Sequence, residues 1–316
     1  MLSKAGLDVL HTLHTGTTAT PAELADATSY SQAHLYEVLD ELLEAGLVTE
    51  TRGNKNQRQV RVAAHPVVDA YRTLVSQLGH VDWAALLSPA TLRVCWYLDD
   101  PRRVAAIAER LDITRQGVHN ALSPLKGRAL LAPSGPEYAL SDDLAPLLAF
   151  ARAVVTHDHR QRVRDLTPSA TIAWCDPKRA LVRPQTAADT DTLQSHPEWQ
   201  MTGLARMQDH GLQFFLADEP AFWYGPETTL TPAQVVCHTL VLDSDSRRVS
   251  YAMLLIAHLG IDQESLTATA TWYDLEPTVE VLYRPLDGET ASEADTTVSL
   301  PSGTEFMRLK EQYGVQ

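Results

Sequence analysis

Two short clusters of side chains in this chain carry the chemistry of base and phosphate recognition. One is Ser31, Gln32, His34 and Tyr36; the other is Thr114, Arg115, Gln116 and His119. A Gln amide can pair with an adenine edge, an Arg can hold guanine or a phosphate, and His and Tyr can reach either. A third cluster lies between Thr51 and Val62, where Arg52, Lys55, Arg58 and Arg61 flank Asn56 with no acid among them. Such a run suits phosphate or minor-groove contact. The plainer reading is a solvated hairpin.

The first two clusters sit at equivalent places in a duplicated segment. Ala22–Val48 aligns without a gap to Ala105–Leu131, 83 positions on. Leu24 then matches Ile107, Ser31 matches Thr114, Leu35 matches Val118, Leu39 matches Leu122 and Leu42 matches Leu125. Each copy reads as a short helix, a tight turn, a longer helix and a strand, the grammar of a winged helix-turn-helix.

Local signals fill in the first copy. Leu7, Leu10 and Leu13 mark a helix over Ser3–Thr15, which Gly16 ends. Thr20-Pro21-Ala22-Glu23 is a capping box with Pro at the first helical position. Ser31 caps the next helix, whose inner stripe is Leu35, Leu39 and Leu42, and Gly46 stops it. Leu47–Glu50 and Gln59–Val62 form the wing strands.

In the second copy, Trp83–Leu98 reads as one helix and Arg103–Leu111 as the next. Thr114 caps a third, with Arg115, Gln116, His119 and Asn120 on its outer face. Pro124 falls inside that helix, where it removes a hydrogen bond and predicts an early end or a kink. The second wing, Leu130–Ala132 to Tyr138–Leu140, has no basic residue. A long helix follows over Asp142–Asp165, suited to an intrachain contact or to dimerisation.

Composition sets outer bounds. The 316 residues carry a net charge of −14 at 44% hydrophobic content, enough for full cores. Residues 1–82 sum to about −4, residues 83–165 to about +2 and residues 166–316 to about −12. No apolar run approaches the roughly 18–20 residues of a membrane span. With no apolar signal region, the sequence reads as cytoplasmic. Cys95, Cys175 and Cys237 are scattered and odd in number, as buried thiols in a reducing compartment would be.

The C-terminal half alternates strands and helices. Strands are expected at Thr171–Trp174, Ala180–Arg183, Gln213–Ala217 and Ala221–Tyr224, and a helix at Met201–His210. Further helices are expected at Pro232–Leu242, Arg247–Leu259, Gln263–Tyr273 and Phe306–Tyr313, with a loop over Gly288–Thr304. Trp174, Trp199, Phe214, Phe215, Phe222, Trp223 and Tyr224 suit a hydrophobic core better than a ligand pocket. No metal, phosphate-loop or nucleophile motif is present, so neither an enzyme nor a cofactor is expected.

The wing-bearing copies resemble the winged helix-turn-helix of ArsR- and MarR-like transcriptional regulators. The acidic, Lys-poor composition is similar to that of haloarchaeal proteins, which implies an archaeal, halophilic origin. The C-terminal segment Leu230–Leu240, followed by Tyr251–Ile256, resembles a domain that follows winged helices in archaeal regulators. More distantly, it resembles that of AbiEi-type antitoxins, although no Gly-Ser turn of a working nucleotidyltransferase occurs here.

The resulting expectation is an α+β chain. Residues 1–80 and 81–165 are tandem winged helix-turn-helix domains, and 166–316 is a mixed α+β effector or interaction domain. Its partners would be double-stranded DNA, a second copy in a homodimer, and a small-molecule effector or protein at the C-terminal domain. An interaction module docking a basic protein through the acidic half is the other reading the sequence leaves open.

Overall fold

The computed structural model describes residues 2–53, 57–212, 220–286 and 298–315. It is a mixed α+β chain with a helix-turn-helix domain at its N-terminus and a sheet-containing C-terminal domain. Two compact units divide it, Met1–Gln161 and Arg162–Gln316.

The first unit opens with α1 (Lys4–Leu13), α2 (Pro21–Thr28) and α3 (Gln32–Glu44). Ser3, Thr20 and Ser31 cap them, and Thr20 and Glu23 form the full reciprocal box. Leu7, Leu10, Leu24, Leu35 and Leu39 close the core between the three helices. β1 (Val48–Arg52) and β2 (Arg58–Val62) pair antiparallel, with Val48 opposite Val62 and Arg52 opposite Arg58. Next comes α4 (Pro66–Gln77), which the sequence reading missed. Its cap is His65, whose Nδ1 accepts from Val67 N at 3.1 Å.

The expected helix over Trp83–Leu98 is two pieces, α5 (Trp83–Leu86) and α6 (Pro89–Cys95). Pro89 cannot donate within a continuous helix, and Ser88 instead caps a new one. β3 (Arg102–Arg103), α7 (Val104–Leu111) and α8 (Arg115–Lys126) follow, then β4 (Leu131–Ser134) and β5 (Glu137–Leu140). These strands form one sheet in the order β3-β5-β4. α8 continues through Pro124 to Lys126, although the proline supplies no i→i−4 hydrogen bond there. The unit's last helix is α9, Ala145–Leu166, which runs past the unit boundary.

The duplication extends to backbone conformation. Ser29 (φ 60°) and Asp112 (φ 52°) are left-handed at the turn of each copy. Gly46 (φ 69°) and Ala129 (φ 56°) are left-handed again just after the longer helix. Both pairs sit at the same 83-residue offset as the side-chain match.

The second unit holds β6 (Thr171–Asp176), β7 (Arg179–Arg183), α10 (Ala187–Ser195), β8 (Trp199–Thr202) and β9 (Ala221–Tyr224). They form an antiparallel sheet in the order β6-β7-β9-β8. The helix expected over Met201–His210 begins as β8 and continues as a 3₁₀ stretch, Gly203–His210. The strand expected at Gln213–Ala217, with Phe214 and Phe215, lies outside the described residues.

α11 (Pro232–Leu242), α12 (Ser246–Leu259), α13 (Gln263–Ala270), α14 (Glu276–Leu286) and α15 (Gly303–Tyr313) complete the chain. Trp223 is fully buried, stacked between Trp174 at 5.7 Å and the His238 ring at 4.2 Å. Trp199 and Phe222 are also buried and Trp174 packs against the core, while Tyr224 is half-buried.

Candidate nucleic-acid interface

α3 starts where Ser31 accepts from the His34 amide at 3.3 Å, so its hydroxyl is occupied by capping. Gln32, His34 and Tyr36 are exposed on the first turns, and Tyr36 is 43% exposed. Tyr30 anchors this end by donating to Asp8 Oδ2 at 2.7 Å, and its ring meets the His34 ring edge-on.

Further along, Glu37, Asp40, Glu41 and Glu44 are all exposed. At about 100° per residue, the four carboxylates fall within an arc of roughly 100°. The outer face of α3 is therefore an acidic stripe.

The first wing is less cationic in space than in sequence. Arg58 Nη2 donates to Asp40 Oδ1 at 2.9 Å, and its Nε lies 3.0 Å from Glu50 Oε2. Its guanidinium sits 5.4 Å from the Tyr36 ring centroid, and the side chain is only 20% exposed. Asp40's hydrogen bond raises the Arg58 pKa above its already high value. Arg58 is thus a strut joining α3, β1 and β2, not an outstretched phosphate contact. Arg52 is exposed, with Glu50 at 3.9 Å, and Arg61 Nε donates to Thr49 Oγ1 at 3.3 Å. Lys55 and Asn56 lie outside the described residues.

α8 differs. Thr114 caps it, its Oγ1 accepting from Gly117 N at 3.0 Å. Arg115, Gln116, His119, Asn120, Ser123 and Lys126 are exposed on one side. Gln116 Nε2 donates to Asn120 Oδ1 at 2.8 Å, which holds two amides side by side. Tyr138 of β5 backs the stripe. Its ring is 6.5 Å from that of His119, and Lys126 Nζ is 5.8 Å from its centroid.

Position by position, α8 lacks the acids of α3. Glu37, Asp40, Glu41 and Glu44 correspond to Asn120, Ser123, Pro124 and Gly127. Gln32, Leu43 and Ala45 correspond to Arg115, Lys126 and Arg128. From Ile113 to Pro136 there is no Asp or Glu. Lys126 and Arg128 escaped the sequence reading, which stopped at the helix's first turns. The signal was the missing acid, visible only when the two copies are laid side by side.

The second unit presents polar groups that are structural. His238 is fully buried, with Nδ1 2.8 Å from Thr202 Oγ1 and Nε2 2.9 Å from Tyr273 Oη. Arg179 joins Asp176 at 3.5 Å and Glu227 at 2.5 Å. Asp243 and Asp245 both engage Arg248, at 3.1 and 3.3 Å, and Asp245 caps α12. A cavity bordered by Arg183, Thr202, Thr239 and Arg248 holds about 20 Å³, room for little more than one water. Among the described residues no group of three His, Cys, Asp or Glu is arranged to hold a metal. No helix among them is long and apolar enough to cross a membrane.

Comparison with known proteins agrees with the N-terminal geometry. Residues 1–51 match the model of a helix-turn-helix domain family of ArsR type. The matched span runs from α1 into β1 and supports a DNA-binding transcription regulator. Residues 196–315 match a family model described as HVO_2833_C, C-terminal. That match does not show the AbiEi likeness. No curated protein matches the chain.

Proposed function

We propose that this protein is a transcription regulator that occupies promoter or operator DNA through its winged helix-turn-helix copies. The observation that carries the reading is the helix-turn-helix at residues 1–51, which has its own family match. Support comes from its repetition, capped by Ser31 in one copy and Thr114 in the other. The C-terminal domain then serves regulation or dimerisation, and the protein works inside the cell, where its DNA is. Its acidic, Lys-poor composition suits an archaeal, halophilic host, whose concentrated salt weakens phosphate contacts. Base-edge contacts would carry correspondingly more of the binding.

The test is selection from a pool of random duplexes by the full chain, in both dilute and molar potassium chloride. Recovery of a shared sequence supports the reading, and an unenriched pool in both salts overturns it. The acidic stripe on α3 favours a second reading for that face, docking of a basic protein segment. If the duplex pool is not enriched and a single stoichiometric basic partner co-purifies, that reading replaces the first.

A further inference from the structure

We infer that the second helix-turn-helix copy carries the duplex contact and that α3 of the first copy stays off the phosphates. The inference rests on the DNA-binding reading above and decides which surface performs it. Duplex DNA carries one negative charge per roughly 1.7 Å of axis, so phosphate neutralisation dominates affinity. A helix that enters a groove with four carboxylates on its outer face meets that charge with its own. On α3, Glu37, Asp40, Glu41 and Glu44 are exposed together, and Arg58, which reaches Asp40, is also engaged by Glu50.

α8 has the opposite balance. Arg115 and Lys126 stand near its two ends and Arg128 just beyond, all exposed. None of the three makes an ion pair with a described residue. At about 100° per residue, Arg115, His119, Ser123 and Lys126 fall within an arc of roughly 80°. Gln116 and Asn120 widen it to roughly 140°. From Arg115 to Lys126 the axis rises about 16 Å, against a major-groove width of about 12 Å.

Two long cationic side chains at that separation can reach phosphates on both walls. The amides of Gln116 and Asn120 and the ring of His119 then face the base edges between them. The carboxamides that hydrogen-bond each other at 2.8 Å have the donor–acceptor pattern that reads adenine. The same positions on α3 hold Ala33 and Glu37.

The experiment measures binding of a mixed-sequence 30-base-pair duplex to the full chain by fluorescence anisotropy across a potassium chloride series. Arg115→Ala, Lys126→Ala and Arg128→Ala are combined in one variant. Arg52→Ala and Arg61→Ala are combined in a second. A third, Asn120→Glu with Ser123→Asp, places the acids of α3 onto α8. All these positions are exposed, and circular dichroism checks the fold.

The triple variant is expected to lower the slope of log K against log salt by about three, one per phosphate-contacting cation. The acid-bearing variant should lose binding more than about tenfold, since each close like charge opposes the phosphates. The Arg52/Arg61 pair should lower the slope of log K against log salt by less than the triple variant does. A slope that falls in the pair and not in the triple variant overturns the inference and leaves the DNA-binding reading standing. A parent chain that binds no duplex at any salt overturns the reading itself, and the inference with it.

Discussion

Ala129 occupies a backbone position that its counterpart in the first copy fills with glycine. Its φ is 56°, and that of Gly46 is 69°. A residue with a Cβ in this left-handed region costs about 1–2 kcal/mol. Replacing it by glycine restores about 0.4–1 kcal/mol of freedom to the unfolded chain. Ala129→Gly should therefore stabilise the first unit by a net of about 0.5–1 kcal/mol, and Gly46→Ala should destabilise it by a similar amount.

The two substitutions form a clean pair. A Cβ built on Gly46 meets nothing within 4 Å, so the second change adds strain without a clash. With a urea dependence of about 1–3 kcal/mol per molar, the midpoints should separate by roughly half a molar or more. Hydrogen exchange of the α3 and α8 amides across a urea series would follow this unit alone. If Ala129→Gly lowers the midpoint, or Gly46→Ala leaves it unchanged, the two sites do not share a left-handed backbone constraint.

Two further outcomes follow from buried groups. Arg179→Met removes the cation paired with Asp176, whose side chain is only 1% exposed and also accepts from Lys178 N at 2.8 Å. A loss of about 3–5 kcal/mol is expected at neutral pH. Thermal unfolding at pH 7 checks this, and a loss within the roughly 0.5 kcal/mol of an ordinary surface change would refute it.

His11 and His65 both titrate below their ordinary 6.5, chiefly because burial disfavours the charged ring. Their contribution is complete above pH 6.5 and is lost as pH falls below it. For His65 the loss has a local cause, since a protonated Nδ1 can no longer accept from Val67 N and cap α4. Urea midpoints of the parent should therefore drop between pH 7 and pH 5, more steeply than those of a His11→Gln, His65→Gln variant. A parent that gains stability on acidification would show the sign to be wrong.

Elements with strong local punctuation were legible in the sequence. The capping residues Thr20, Ser31, Thr114 and Thr231 all accept the amide expected of them, and α11 spans the residues its capping box predicts. α4 was missed because its cap is a histidine, although Val67, Val68, Tyr71 and Leu74 form an apolar stripe. α10 was missed because it buries only Asp189 and Leu193, too little for any periodicity. Gln32, His34 and Tyr36 are exposed on the first turns of α3, as their helical spacing predicts, but their electrostatic setting was not legible. Arg58 meets Asp40 and Glu50 from three separate elements, and no linear count of charges foretells that meeting. The cationic run in the first wing therefore overstated the charge available to a ligand.

Cys95, Cys175 and Cys237 are all buried and unbridged. Burial pushes the thiols of Cys95 and Cys237 up to about 12. Since only a thiolate attacks readily, a maleimide should find these sulfurs inert until the surrounding core opens. Cys95 belongs to Met1–Gln161, while the other two belong to Arg162–Gln316. Alkylation rates read by mass spectrometry would thus time the breathing of each half separately, with no label or engineered probe introduced.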